Sequence, residues 1–286
     1  MRSLNSPEAI FALKKLVLPT KCGNSGAPGV VGGGDDTMIR TIYIMWLREV
    51  KKFTRSRSRI VGALGQPIFY LLALGYGLGS IFQAAGQGNY IEFLVPGIIG
   101  MTIIFSSIFN GMAVIWDRQF GFLKETLVAP VPRVAVMLGR TLGGATVSTA
   151  QGCIVFILTL FFGFHPYSWA LVIPAILIML LIATLFSALG IMVASLLSDM
   201  QGFQLIMNFL VMPMFFLSGS LFPLNNVPLL LGLIAQIDPL SYGVDAMRTT
   251  LINVTHFGLG LDLSVLVIIA GVFLGLGSYF FSKIEV

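Results

Sequence analysis

The chain has 286 residues, of which 56% are hydrophobic and only 10% charged, and its mean hydropathy is +0.93. A soluble domain carries about 25% charged residues, so this composition excludes a soluble globular body and makes lipid the solvent for most of the chain. The net charge of +5 is no sign of nucleic-acid binding here, because the cations gather at alternate ends of apolar runs, which is a mark of membrane topology.

Residues 1–37 come first and differ from everything after them. The stretch TKCGNSGAPGVVGGGDDT is Gly-rich and polar, has nothing to build a core, and reads as a disordered leader. AIFAL is too short for the apolar region of a signal peptide, and no A-x-A-like site follows. Met38 directly precedes the first patterned segment and is expected to be an alternative start, with a regulatory tail as the other reading of the leader. Over 39–54 the spacing predicts an amphipathic helix. At about 100° per residue, Ile39, Ile42, Tyr43, Trp46, Leu47, Val50 and Phe53 share one arc, and Arg48, Lys51, Lys52 and Arg55 the opposite one. Such a helix lies in the membrane interface with its basic face toward anionic headgroups.

A bilayer core about 30 Å thick needs roughly 20 apolar residues per helix. Six runs qualify as spans: 60–82, 93–115, 134–164, 169–197, 203–222 and 263–281. They show none of the alternation of a membrane β-strand. Arg40, Arg48, Lys51, Lys52, Arg55, Arg57 and Arg59 precede the first span, and Arg118, Lys124, Arg133 and Arg140 lie between the second and third. The loops after spans one and three hold no Lys or Arg. The positive-inside rule therefore places both termini, Lys283 included, and the 116–133 loop in the cytoplasm. Gly75/Gly79, Gly139/Gly143, Gly190/Ala194 and Gly271/Gly275 are small-xxx-small pairs that permit close helix approach. Cys22 and Cys153 lie in different environments and are not expected to pair. From 223 to 262 the apolar character is broken into pieces too short to span and joined at Asp238–Pro239. Two short helices that enter the outer leaflet and return fit this pattern, since a turn within a membrane needs protein or water to satisfy its backbone. A long external loop with one surface helix is the alternative.

No G-x-x-x-x-G-K-[ST] and no H-E-x-x-H occurs, so the chain has neither a Walker A phosphate cradle nor a zincin motif. No metal site is expected. His165 and His256 stand alone at span margins. Ion-coupled carriers keep acids and bases deep in their spans. Here the mid-span polar residues are mild, namely Gln66, Asn110, Ser148, Gln151 and Asn208, and Arg140 is expected to snorkel to the cytoplasmic surface. Uphill transport would therefore draw its energy from outside the chain. The 116–140 segment, with Phe120, Phe122 and Leu127 among its charges and a stop at Pro130 and Pro132, suits docking into a partner's groove, although an ordinary solvated loop would have the same composition.

DRQFGFLKETLVAPVPRVAVMLGR resembles the cytoplasmic loop of type 2 ABC transporter permeases, which carry a G-x-[LF]-[KE]-x-L-x-x-[TSA]-P-V-[SP]-R-like pattern. FFLSGSLFPLNNVPLLLGLIAQIDPLSYGVDAMR is similar to their late signature. Both segments stand in the expected order within 38–286. The resemblance implies an all-α integral membrane protein with six transmembrane helices, an N-terminal interfacial helix and an external re-entrant helical hairpin (223–255) before the last span. It also implies a half-transporter that dimerises, most simply with a second copy of itself, and recruits a cytoplasmic ATP-binding subunit. That subunit would bind the ATP and Mg, leaving this chain without a cofactor and without catalytic residues. By resemblance, Asp117, Arg118, Phe120, Gly121, Lys124, Glu125, Pro130 and Arg133 couple to the ATPase, together with the interfacial helix bearing Trp46, Arg48, Lys51, Lys52 and Arg55. Pro223, Pro228, Asp238, Pro239, Tyr242 and Arg248 mark the hairpin. Polarity and span position suggest Gln66, Phe69, Phe105, Asn110, Asn208 and Phe215 as lining of the translocation path. Drug-type export of an amphipathic or lipid-like compound across the cytoplasmic membrane is the leading reading. Export of a lipid-linked glycan, a non-transporting assembly scaffold and an ion-coupled carrier are the alternatives.

Overall fold

A backbone in lipid must satisfy its own hydrogen bonds, and apolar runs of this length do so as helices. A computed structural model of the chain describes residues 34–84, 89–121, 131–223 and 228–284, with no strand among them. Most of the 1–37 leader, Cys22, Lys124, Glu125 and Pro130 lie outside the described residues. The helices are α1 (Gly34–Arg55), α2 (Arg57–Ala84), α3 (Tyr90–Asn110), α4 (Met112–Gln119), α5 (Arg133–Phe161), α6 (Val172–Leu196), α7 (Met200–Leu217), α8 (Leu229–Ile237), α9 (Pro239–Ile252) and α10 (Leu259–Ser282). A 3₁₀ turn, Trp169–Leu171, leads into α6.

Five segments among the described residues are long and apolar enough to cross a bilayer: Tyr90–Gln119, Arg133–Phe161, Trp169–Leu196, Met200–Leu217 and Leu259–Ser282. Several side chains of α2, which covers the first expected span, are not described, and that count does not include it. Some boundaries differ from the sequence expectation for local reasons. Asp199 starts α7 three residues earlier than expected by accepting the Gln201 and Gly202 N–H groups at 3.2 and 2.6 Å. The same helix ends at Leu217 rather than 222, where Gly219 turns left-handed (φ 72°). Gly163 (φ 87°) likewise follows the end of α5. α1 begins at Gly34, so residues 34–37 of the expected leader are helical.

The segment after the second span departs most from expectation. Helical structure does not stop at 115 but turns at Gly111 and resumes as α4 through Gln119. A Cβ at Gly111 would fall within 3.0 Å of the backbone of Gly190 on α6, and one at Gly190 would fall within 3.0 Å of the Ile108 backbone. Backbone therefore meets backbone at this crossing, which is how helices associate where lipid supplies no hydrophobic driving force. Gly97 does the same against Ser220 and Gly139 against the Ile42 carbonyl of α1, while Gly143 meets the Glu49 side chain. A Cβ at Gly271 or Gly275 would meet nothing within 4 Å, so this pair makes no close crossing among the described residues.

α6 is the centre of the bundle, touching α3, α5, α9 and α10. Its inner half, including Ile182, Ala183, Leu185, Phe186 and Ala188, is fully buried. α7 and α10 are the most exposed of these spans, so their outer faces are left for lipid or a second protein. The long helices alternate in direction. One end of the bundle holds Arg48, Asp117, Arg140 and the Arg133 contact with Ser282 and Ile284. At the other end Tyr90 donates to the Leu221 carbonyl (3.0 Å) and the Tyr167 N–H to that of Leu251 (2.8 Å). These are called the basic end and the hairpin end.

Gly190→Val is expected to destabilise the bundle by about 1–3 kcal/mol or more through overlap with Ile108, read as a lower thermal midpoint in mild detergent. Gly271→Ala, which meets open space, should leave the midpoint unchanged.

Candidate functional site

At the basic end α1 lies across the start of α5. Gly139 faces Met45 and the Ile42 carbonyl, and Gly143 faces Glu49, each so closely that a Cβ would come within 3.0 Å of an α1 atom. Trp46 Nε1 donates to Thr146 Oγ1 at 3.0 Å. The seated face is thus Ile42, Met45, Trp46 and Glu49, rotated from the predicted apolar arc, and Ile39 and Tyr43 of that arc are exposed. Lys51, Lys52 and Arg55 point outward.

A three-residue charge cluster locks this seat. Asp117, on α4, accepts Arg48 Nη2 at 3.1 and 3.0 Å through its two oxygens, and Arg140 Nη2 also donates to Asp117 Oδ2. Asp117 and Arg140 are buried, whereas the Arg48 side chain is one-third exposed. Two expectations are corrected here. Arg140 does not snorkel, because its counter-ion sits inside the bundle, and its Nε and Nη1 atoms are buried without a partner. Asp117 is not a solvated loop residue, because α4 carries it under α1. The cluster spans separations of 69 and 23 residues, so no local pattern announces it.

Below the cluster α4 ends in an exposed aromatic pair, Trp116 (48% exposed) stacked on Phe120 (62% exposed) at 5.3 Å. Arg118 is half-buried between them in sequence, Gln119 Nε2 bonds the Ser198 carbonyl (3.1 Å), and Gly121 turns left-handed (φ 77°). Trp116 was not among the residues predicted to couple. Its signal was the i, i+4 spacing to Phe120, which puts both on one face. Arg133 instead ties the start of α5 to the carbonyls of Ser282 and Ile284.

Midway along the bundle α2, α3 and α5 enclose a cleft of about 300 Å³. Of the six predicted path residues, Gln66, Phe105 and Asn110 line it. Phe69 and Asn208 are on the outer surface, and Phe215 is fully buried in the core against Tyr70 (6.3 Å, edge to face). Met101, Thr102, Ser106, Phe109, Val147 and Gln151 also line the cleft. Asn110 Nδ2 donates to the Gly144 carbonyl (3.2 Å) and Ser148 Oγ (3.3 Å), and Ser148 donates to Ser106 Oγ (2.9 Å). Gln151 and Ser106, which line the cleft, were not among the residues suggested for a path. The signal was again helical spacing, Ser106 with Asn110 on one helix and Ser148 with Gln151 on the other.

At the hairpin end Asp238 joins α8 to α9. It accepts the Leu240 N–H at 2.9 Å, and Pro239 opens α9 with the φ a helix needs. The two helices are unlike. α8 is largely exposed and starts after Pro228, whereas α9 is enclosed by α3, α6 and α10. Burial pushes the Asp238 carboxyl up to about 7, against the pull of the Leu240 N–H. Tyr242 Oη donates to the Gln236 carbonyl at 2.7 Å, tying α9 back to α8. Arg248 donates to the Gly219 carbonyl (3.1 Å) and lies 4.0 Å over the Phe93 ring. Burial lowers its pKa to about 10 while Asp245 raises it, so it stays charged at neutral pH. Asp245 accepts the N–H groups of His256 (2.9 Å) and Phe257 (2.8 Å), and Asp262 is buried beside it. Asp117, Arg140, Asp245, Arg248 and Asp262 are all buried. Pro223 is half-buried where the chain leaves α7. Among the described residues no group of three metal-ligating side chains occurs, and Cys153 is free.

The family model of the ABC-2 type transporter matches residues 40–252. The chain is similar to a putative transport permease, ycf38, of Cyanophora paradoxa, at 25% identity over 86% of this chain and 89% of that protein. It is also similar to Nodulation protein J of Rhizobium leguminosarum bv. viciae, at 25% identity over 80% and 86% of the two chains. A third relative is the inner membrane transport permease YadH of Escherichia coli (strain K12), at 26% identity over 78% and 88%.

Removing the shared acid leaves two arginines without a counter-charge, so Asp117→Asn is expected to cost about 3–5 kcal/mol. Adding Arg140→Met should recover part of that loss. Thermal midpoints of the two single variants and the double variant measure the coupling, and additive losses would mean that the pair does not interact.

Proposed function

The chain belongs to the ABC-2 type transporter family, and from that membership we propose that it is the membrane permease of an exporter driven by a separate cytoplasmic ATP-binding subunit. Its cargo in this reading is an amphipathic or lipid-like compound moved out across the cytoplasmic membrane. ATP and Mg belong to the partner, in keeping with a sequence that has no Walker A motif. A second copy of the permease completes the transporter and uses the apolar faces that α7 and α10 leave uncovered. α2 is the sixth span, both termini are cytoplasmic, and the hairpin α8–α9 re-enters the outer leaflet. The basic end collects Arg40, Arg48, Lys51, Lys52, Arg118 and Arg133, which supports that orientation through the positive-inside rule.

The observation that carries this reading is the clamp at the basic end. α1 and the foot of α4 are the parts a cytoplasmic partner can reach, and Asp117 joins both to α5 through Arg48 and Arg140. A push on α1 or on the Trp116–Phe120 pair is therefore delivered to α5, whose next turns line the cleft. Nucleotide binding in the partner would bias a two-state arrangement of the spans. The cleft volume falls at the lower end of the range for drug-sized ligands, about 300–1,000 Å³, which favours a small amphipathic cargo over a glycan chain.

Trp116→Ala with Phe120→Ala is expected to reduce recovery of the co-expressed ATP-binding subunit about tenfold, as for loss of aromatic interface anchors, with an unchanged thermal midpoint. Arg118→Glu should lower ATP-driven transport in proteoliposomes while insertion is retained. Substrate movement on an ion gradient without ATP would refute the reading.

A further inference from the structure

The cleft between α2, α3 and α5 contains one polar atom that the fold leaves unpaired. Gln151 is only 4% exposed, and its Oε1 has no hydrogen-bond partner. A buried amide oxygen without a partner costs about 1–3 kcal/mol, and no donor among the described residues is within hydrogen-bond reach of it. Asn110 Nδ2 is spent on Gly144 and Ser148, the Ser148 hydroxyl on Ser106, and the Thr102 hydroxyl on the Ile98 carbonyl of its own helix. Gln151, with its amide oxygen unpaired, thus lines the cleft together with Gln66, which is exposed on the facing helix.

The rest of the lining narrows what the cleft can take. None of the described lining residues carries a charge, and the described ionic groups toward the basic end, Arg140 and Asp117, are engaged with each other. An ion would find no counter-charge among these lining residues, at the high cost of burying an unpaired ion. Met101, Phe105, Phe109 and Val147 offer apolar surface instead. Phe105 and Phe109 lie parallel to each other, with centroids 6.3 Å apart.

We infer that this cleft is a substrate subsite for an uncharged amphipathic compound, which sets a hydroxyl or amide group against Gln151 and its apolar body against Phe105 and Phe109. A hydroxyl both donates and accepts, so it suits the Gln151 amide in either orientation. The inference rests on the transport reading above and names the class of compound that this site takes. It also assigns Gln151 as the residue that selects for that class, because a site built around an unpaired polar group rejects analogues that leave it unpaired.

The test uses the purified full-length permease in lipid nanodiscs and needs no ATPase. Three photoreactive probes share one diazirine-bearing alkyl chain: a glucoside, its per-O-methylated ether and a trimethylammonium. The glucoside should label peptides of α3 and α5 saturably and be displaced by excess unlabelled glucoside, and the other two probes should label at least about tenfold less, within the discrimination a hydrogen-bonding site supports. Gln151→Leu should lose glucoside labelling while its thermal midpoint stays equal or rises, whereas a purely structural glutamine would lower the midpoint. Gly62→Phe, built into open space at the cleft, should block labelling without touching Gln151. Equal labelling by all three probes, or unchanged labelling in Gln151→Leu, overturns the subsite. Labelling as expected without ATP-driven transport in proteoliposomes would remove the transport reading alone, and transport without labelling would remove the subsite alone.

Discussion

Asp117 is one carboxylate shared by two arginines from helices far apart in the chain, and the arrangement of the basic end depends on that sharing. Arg140 is buried with two of its nitrogens unpaired, so its charge is tolerable only while Asp117 stays beneath α1. Asp117 is carried there by α4, which follows the close crossing of Gly111 with Gly190. α1 is held in turn by Arg48 and by the Trp46–Thr146 bond. Ion pairs buried in this way contribute little to net stability. What they provide is register, since α1 cannot slide along α5 without leaving a charge unpaired.

The same economy governs the rest of the bundle. Lipid is as apolar as the helices it surrounds, so the helices are brought together by close backbone approach and a few polar contacts. Gly97 against Ser220, Gly111 against Gly190, and Gly139 and Gly143 against α1 set where the elements cross. At the hairpin end Arg248 binds α9 to the turn after α7, Asp245 binds it to the loop before α10, and Tyr242 binds it to α8. Between these two polar ends the cleft brings an unpaired amide oxygen, that of Gln151, among its lining residues.

Several elements were legible in the sequence because their causes are local. Asp238 followed by Pro239 marks a helix start wherever it occurs, and two helices do meet there. The 39–54 periodicity gives a helix with Lys51, Lys52 and Arg55 outward, although its packed face is turned from the apolar arc, because two glycines of α5, not hydrophobicity, choose what lies against them. The pair Gly139/Gly143 was visible as a motif, but its partner α1 was not. Gln66, Phe105 and Asn110 could be picked out as polar or aromatic residues in mid-span. Phe215 satisfied the same criterion and belongs to the core, because composition does not say which face of a helix is covered.

The sequence by itself determined that lipid surrounds this protein, that it is helical, where its spans begin to within a few residues, and on which end its cations gather. These follow from hydropathy and charge, which each segment carries alone. Only the tertiary structure decided that Arg140 turns inward to Asp117, that α9 is enclosed while α8 is exposed, and that Gln151 faces an open cleft. The physical reason is that a buried charge or an unpaired amide is defined by what stands opposite it, and those partners come from helices distant in sequence.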